Sequence, residues 1–231
     1  MDSQTLLITG ASKGIGRALG EHYAAAGHTV IGCSRNAPDT APSFQLLTCD
    51  VTSEADVKDM LRQIRKEHGQ LDAVINNAGA ASMNHSLLTP GDTFQRLLEI
   101  NTLGTFLVSR EAAKLMRKAK VGRIVNFSTV AASLSLEGEC AYVAAKSGVE
   151  ALTRVMSKEL AELNVTVNCV GPTPIETDLI RNVPKDKLEA LVERQAIKRM
   201  GRFEDVINVV DFFLRPESDF VTGQTVYLGG V

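Results

Sequence analysis

Charge of one sign is missing from this sequence: 25 basic against 27 acidic residues leave a net charge of −2, and no segment gathers Lys and Arg into a basic patch. Diffuse attraction to nucleic acid or to an anionic membrane is therefore excluded, and neither is an expected partner. Paired cysteines are missing too. Cys33, Cys49, Cys140 and Cys169 lie far apart without a CxxC or CxxH spacing. No metal site and no disulfide framework is expected, only free buried thiols in a reducing compartment. No apolar run reaches the ~18 residues of a membrane span. The opening MDSQTLLITGAS has a single short apolar run and no basic segment, unlike a signal peptide. Internal repeats and low-complexity tracts are absent. What is left reads as a soluble, cytoplasmic chain, 44% hydrophobic and 23% charged, with the composition of one large α/β domain over residues 1–231.

Apolar, β-prone runs alternate with helical patterns. TLLIT is followed by an Ala-rich helix over Ile15–Ala26, then TVIGCS, FQLLTC, a helix over Ala55–Glu67, and DAVIN. Beyond them lie a long helix over Asp92–Lys118, GRIVNFS, a helix over Tyr142–Leu163, VTVNCV, a last helix over Glu204–Leu214 and TVYL. Strands separated by helices imply βαβ crossovers, and unbroken apolar runs imply strands covered on both faces. A Rossmann-type, doubly wound parallel sheet of six or seven strands is predicted. Asn36–Ser43 (NAPDTAPS) reads as a surface loop in place of a crossover helix. Val183–Gln195 reads as a short charged helix. It follows the sixth strand's carboxyl end, where open α/β sheets bind ligands, and makes residues 176–200 a candidate substrate lid.

Glycines stand where the first strand turns into the first helix. In TGASKGIG, Gly10, Ser12, Lys13, Gly14, Ile15 and Gly16 form a turn whose backbone N–H groups can approach a pyrophosphate at the helix N-terminus. The spacing is GxxxGxG rather than GxGxxG. With it come Asn77, Ala78 and Gly79 in NNAG after the fourth strand, then Asn101, then Tyr142 and Lys146 in YVAAK at a helix start. These motifs, in this order and at these intervals, resemble the short-chain dehydrogenase/reductase family in its classical form from Leu6 to Gly230, nearest to its 3-oxoacyl-acyl-carrier-protein reductases. The resemblance implies hydride transfer between a nicotinamide cofactor and a carbonyl or alcohol substrate. A 3-oxoacyl thioester is one option; sugars and quinones are others. It further implies that Tyr142 exchanges a proton with the substrate oxygen, that Lys146 holds the nicotinamide ribose, that Asn101 supports a water in the proton relay, and that the protein is a homotetramer or homodimer. The residues agree with it chemically. Tyr142 and Lys146 are four apart and share a helix face, and an ammonium beside a phenol of pKa about 10 favours the phenolate.

Some positions depart from the family pattern. Its serine, commonly 13 residues before the tyrosine, falls on Thr129; Thr129 is the expected catalytic hydroxyl and its neighbour Ser128 the alternative, since strand alternation sends only one of them toward the cleft. Its Pro-Gly after the sixth strand is Pro172-Thr173, with Ile175 and Thr177 the implied contacts to the nicotinamide carboxamide. The last strand ends Leu228-Gly229-Gly230 without the usual aspartate, and contacts of a longer tail are expected to be missing. These departures keep open a non-catalytic dinucleotide sensor or scaffold. Cofactor choice is read from charge. An acidic residue after the second strand would repel a 2′-phosphate, but Ser34 and Arg35 stand there and Lys13 adds a second cation, so NADP is expected. Asp50 is expected on the adenine amino group with Val51 beside the base. Of the two basic positions expected on an acyl-carrier surface, Lys120 is present and Leu163 takes the other. Met83 and His85 lie in a loop expected on the substrate side. The helices Asp92–Lys118 and Tyr142–Leu163 carry more apolar residues than one sheet face needs, among them Phe106, Ala113, Leu152 and Leu160, which predicts pairing with a second copy.

Overall fold

The computed structural model describes residues 3–119, 121–178, 180–181 and 183–231. Among these, seven parallel strands, β1 (Thr5–Thr9), β2 (Thr29–Ser34), β3 (Gln45–Thr48), β4 (Ala73–Asn76), β5 (Gly122–Phe127), β6 (Val165–Gly171) and β7 (Thr225–Tyr227), pair in the order β3-β2-β1-β4-β5-β6-β7. The helices are α1 (Gly14–Ala25), α2 (Glu54–His68), α3 (Gly91–Leu98), α4 (Gly104–Met116), α5 (Val130–Leu134), α6 (Cys140–Glu159), α7 (Lys185–Glu193) and α8 (Phe203–Leu214). Alternation along the strands makes two cores. Leu7, Ile31, Val74, Ile124 and Val167 lie in the core that α2, α4 and α6 complete, and Leu6, Ile8, Ile75, Val125 and Val170 in the one completed by α1 and α8. With both faces covered, every residue of β1, β4, β5 and β6 is buried, which is why those runs show no polar alternation. From β1 the chain winds outward to β2 and β3 and returns to β4 on the other side of β1. Strand order reverses there, and a cleft opens at the carboxyl ends of β1 and β4.

Residues 36–43 are loop, as expected, held to α1 by Arg17, whose guanidinium donates to the Thr40 and Ala41 carbonyls at 2.9 and 3.0 Å. The helix expected over Asp92–Lys118 is instead broken into α3, a π-turn over Glu99–Leu103, and α4. Asn101 explains the break: its side-chain amide donates to the Leu97 carbonyl at 2.9 Å, the acceptor that the α-helical ladder would use at that turn. Cys33 and Cys49, distant in sequence, meet in the core, and all four thiols are free, although Cys140, expected to be buried, is exposed at the start of α6. The segment from β6 to α8 is closed at its base by a bridge between Ile175 and Gly201, with α7 inside it. No helix among the described residues is long and apolar enough to cross a membrane.

Candidate active site

The turn after β1 is built for close approach by backbone. Gly10 and Gly14 have φ of +67° and +58°, the left-handed region that favours glycine. A Cβ on Gly10 would lie 2.8 Å from the Ala78 Cα, and one on Gly16 would lie 2.4 Å from the Gly10 carbonyl oxygen. Asn77 locks the turn by donating its amide to the Thr9 and Gly10 carbonyls at 3.0 and 3.2 Å, while the Thr9 hydroxyl accepts from the Ala78 N–H at 3.0 Å. Asn77 and Ala78, expected as cofactor contacts, thus brace the glycine turn, and Asn77 also borders the cleft. No side chain caps α1, so its first N–H groups are left for an anion, which fits a pyrophosphate.

α6 begins at Cys140, slightly ahead of the expected start at Tyr142, and buries Tyr142 and Lys146 one turn apart. Lys146 Nζ donates to the carbonyl of Phe127 at 2.7 Å and lies 6.0 Å from the centre of the Tyr142 ring. Burial brings Lys146 down to about 8, opposed by Cys169 beside it. For Tyr142 the direction is opposite to the sequence expectation. Burial pushes the phenol above its ordinary value, the charge of Glu139 adds to the rise, and only the Thr129 hydroxyl works against it. The ammonium spends a hydrogen bond on Phe127, and both groups are withdrawn from water, so desolvation outweighs attraction. A phenol in this setting keeps its proton and can deliver it.

Ser128 and Thr129 do face different partners, although both lie past the end of β5. The Ser128 and Val130 N–H groups bond the Val170 and Pro172 carbonyls at 2.8 and 3.1 Å, which ties the turn to β6. Thr129 caps α5, accepting from the Ala131 N–H at 3.2 Å, and its hydroxyl acts on Tyr142. Ser128 instead donates its hydroxyl to Glu150. Asn101 is fully buried, and its side chain is spent: Oδ1 accepts from the Ala80 N–H at 3.3 Å, and Nδ2 donates to the Ala80 and Leu97 carbonyls at 2.9 Å. It backs onto Gly79, where a Cβ would meet Asn101 Oδ1 at 2.7 Å and Lys146 Nζ at 3.4 Å. Asn101 therefore shapes the strand-end loop, and it also borders the cleft.

These groups floor a cavity of about 430 Å³ whose walls are mostly apolar, among them Met83, Val130, Leu136, Leu188 and Leu191. Glu139, one turn ahead of Tyr142, also borders it, and burial raises its carboxyl above the usual range. The segment expected as a lid is tied on two sides. Lys13 Nζ pairs with Asp178 Oδ2 at 2.8 Å, and Arg194 donates to the Leu134 carbonyl at 3.0 Å. Lys13, expected on a 2′-phosphate, is thus engaged across the cleft, whereas Arg35 is exposed and has no carboxylate partner among the described residues. Ser34 donates to the Asn36 carbonyl at 2.7 Å. Asp50 Oδ1 accepts from the Thr52 N–H and hydroxyl at 3.0 and 2.8 Å, and Val51 packs against Gly104. Ile15, Gly79, Pro172, Ile175 and Thr177 border the cavity. Thr173 is buried, its methyl against Gly201 and its hydroxyl without a hydrogen-bond partner among the described residues. His85 accepts from the Leu87 N–H at 3.3 Å, and Lys120 lies outside the described residues. Glu139, Glu150, Asp178 and Arg194 escaped the sequence reading. The first two were findable, since intervals of three and eight residues put both near the Tyr142 face of a helix; Asp178 and Arg194 left no local signal.

Comparison with known proteins agrees with this geometry. Residues 10–230 match the family model described as enoyl-(acyl carrier protein) reductase. The chain is 31% identical over 236 residues to the 3-oxoacyl-[acyl-carrier-protein] reductase of Escherichia coli, covering 99% of this chain and 97% of that one. It is 31% identical over 250 residues to a short-chain type dehydrogenase/reductase of Picea abies, covering 100% and 92%. Ligand-free aldohexose dehydrogenase of Thermoplasma acidophilum superposes with a TM-score of 0.90 at 30% identity, covering 99% of this chain and 93% of that one.

Proposed function

This chain belongs to the short-chain dehydrogenase/reductase family of oxidoreductases, and from that premise we propose that it is a cytoplasmic, NADPH-dependent carbonyl reductase, one catalytic domain over residues 1–231 with residues 176–200 as its lid. The carrying observation is the convergence of Thr129, Tyr142 and Lys146 on the floor of an apolar cavity beside the glycine turn. The glycine turn and the uncapped start of α1 would hold the pyrophosphate, Arg35 the 2′-phosphate, Asp50 the adenine edge, Lys146 the nicotinamide ribose, and Ile175 and Thr177 the carboxamide. NADPH supplies the hydride when bound. Thr129 donates to the substrate carbonyl oxygen, Tyr142 gives that oxygen its proton, and the Lys146 ammonium offsets the charge left on the phenol. The apolar walls and the full-length likeness to 3-oxoacyl-[acyl-carrier-protein] reductases favour a 3-oxoacyl thioester as substrate. Following NADPH absorbance with a panel of carbonyls tests this. Consumption is expected with a 3-oxoacyl thioester mimic; faster turnover of aldoses would replace the substrate, and binding of NADPH without consumption by any carbonyl would leave a dinucleotide sensor.

Two results bear on the finer parts of this reading. Arg35→Ala should weaken NADPH by on the order of 1.5–3 kcal/mol through a lost charge-assisted contact and affect NADH far less. Equal weakening of both cofactors, measured by titration, would remove the main support for NADP. The second concerns assembly. Leu98, Leu103 and Val155 are 36%, 42% and 53% exposed, and Leu98 and Leu103 border an apolar groove with Phe106 and Leu152. Ala113, expected on this face, is in the core instead, and Leu160 packs against that core. A homotetramer or homodimer formed through the groove should lose mass in light scattering at micromolar concentration when Leu103 becomes Asp; an unchanged mass places the interface elsewhere.

A further inference from the structure

We propose that Glu150 is a positioning residue whose carboxylate holds three segments of the active site in register. The inference rests on the catalytic reading above. Glu150 lies on α6 one turn beyond Lys146 and two beyond Tyr142, so it rides on the helix that carries both. Its Oε1 accepts from two hydroxyls that arrive from different parts of the chain. Ser128, in the turn that presents Thr129, donates one; Tyr227, in β7, donates the other at 2.6 Å. Two donors converging on one oxygen use both of its lone pairs, so the side-chain oxygen of Glu150 is the shared acceptor of the two segments.

Tyr227 extends the tie to the loop after β6. Its ring packs so closely on Gly171 that a Cβ there would lie 2.3 Å from the Tyr227 Cδ1. Gly171 is the last residue of β6, directly before Pro172 and Thr173. β7 is a short, half-buried strand at the end of the sheet, whose Val226 packs against the core that α1 and α8 complete. One carboxylate thus links the helix of Tyr142 and Lys146, the turn of Thr129 and the loop that leads to Ile175. Both neighbours border the cavity, but with the Ser128 hydroxyl drawn to Glu150, the Thr129 hydroxyl is the one left toward Tyr142.

Glu150→Ala should lower kcat about tenfold to a hundredfold, the scale of a displaced reacting geometry, with the cofactor KM nearly unchanged. Glu150→Gln keeps a side-chain oxygen for both donors and should recover most of that loss. Tyr227→Phe removes one donor and should cost less, and adding it to Glu150→Ala should cost nothing further. A Glu150→Ala protein that is folded and turns over like wild type, or a Glu150→Gln protein as slow as Glu150→Ala, overturns the proposal. If the wild-type protein reduces no carbonyl, it is the functional reading that falls, and the tie is then scored on the fluorescence of bound NADPH. That signal should change in Glu150→Ala and not in Glu150→Gln; no difference between the two variants overturns it.

Discussion

Tyr142→Phe is expected to lower turnover by roughly two to four decades while cofactor affinity stays close to that of wild type. The ring is 8% exposed and its neighbours are Ala131, Ala141 and Ala145, so phenylalanine keeps the packing and removes only the hydroxyl. That hydroxyl is withdrawn from water, lies beside Thr129, and is held protonated by burial. Its proton is the one placed to reach a carbonyl oxygen over the cavity floor. Single-turnover oxidation of bound NADPH separates the outcomes, since loss of the proton donor slows the chemical step and leaves binding intact. Undiminished turnover in this variant would remove Tyr142 from the reaction.

Thr129→Val is the second large effect. Valine keeps the branching and volume and deletes the donor, so a contact used in the transition state disappears and the rate should fall about 10²-fold or more, as it does when oxyanion donors are lost. The Thr129 Oγ also accepts from the Ala131 N–H at the start of α5, so a drop in melting temperature should accompany the kinetic loss. Thr129→Ser restores donor and cap together and should recover both; a recovery of melting temperature without turnover would mean that Thr129 is structural. Ser128→Ala, by contrast, leaves the donor beside Tyr142 in place and loosens only the turn that Glu150 holds, so its cost should resemble that of Tyr227→Phe. An inactive Ser128→Ala with an active Thr129→Val would reverse the assignment.

The reach of the sequence follows from the range of each interaction. Strand and helix alternation, the glycine turn, and the four-residue interval of Tyr142 and Lys146 are local patterns, legible because a period or a turn needs only near neighbours. The doubly wound sheet and the place of its cleft followed from them. Hydrogen-bond allotment is not local. The side-chain amide of Asn101 bonds the Ala80 and Leu97 carbonyls and breaks a helix that periodicity alone makes continuous. Lys13, at the glycine turn, pairs with Asp178, 165 residues away, a partner that no local pattern announces.

By itself, then, the sequence determined the layer architecture, the motif positions and the helix face that Tyr142 and Lys146 share, because these depend on spacing along the chain. Only the tertiary structure decided the burial of Tyr142, the different hydrogen-bond partners of Ser128 and Thr129, and the meeting of Ser128 and Tyr227 on Glu150. Desolvation is set by everything packed around a group, and a hydroxyl's partner by whichever acceptor the fold brings within about 3 Å, and neither is written in the spacing of neighbours along the chain.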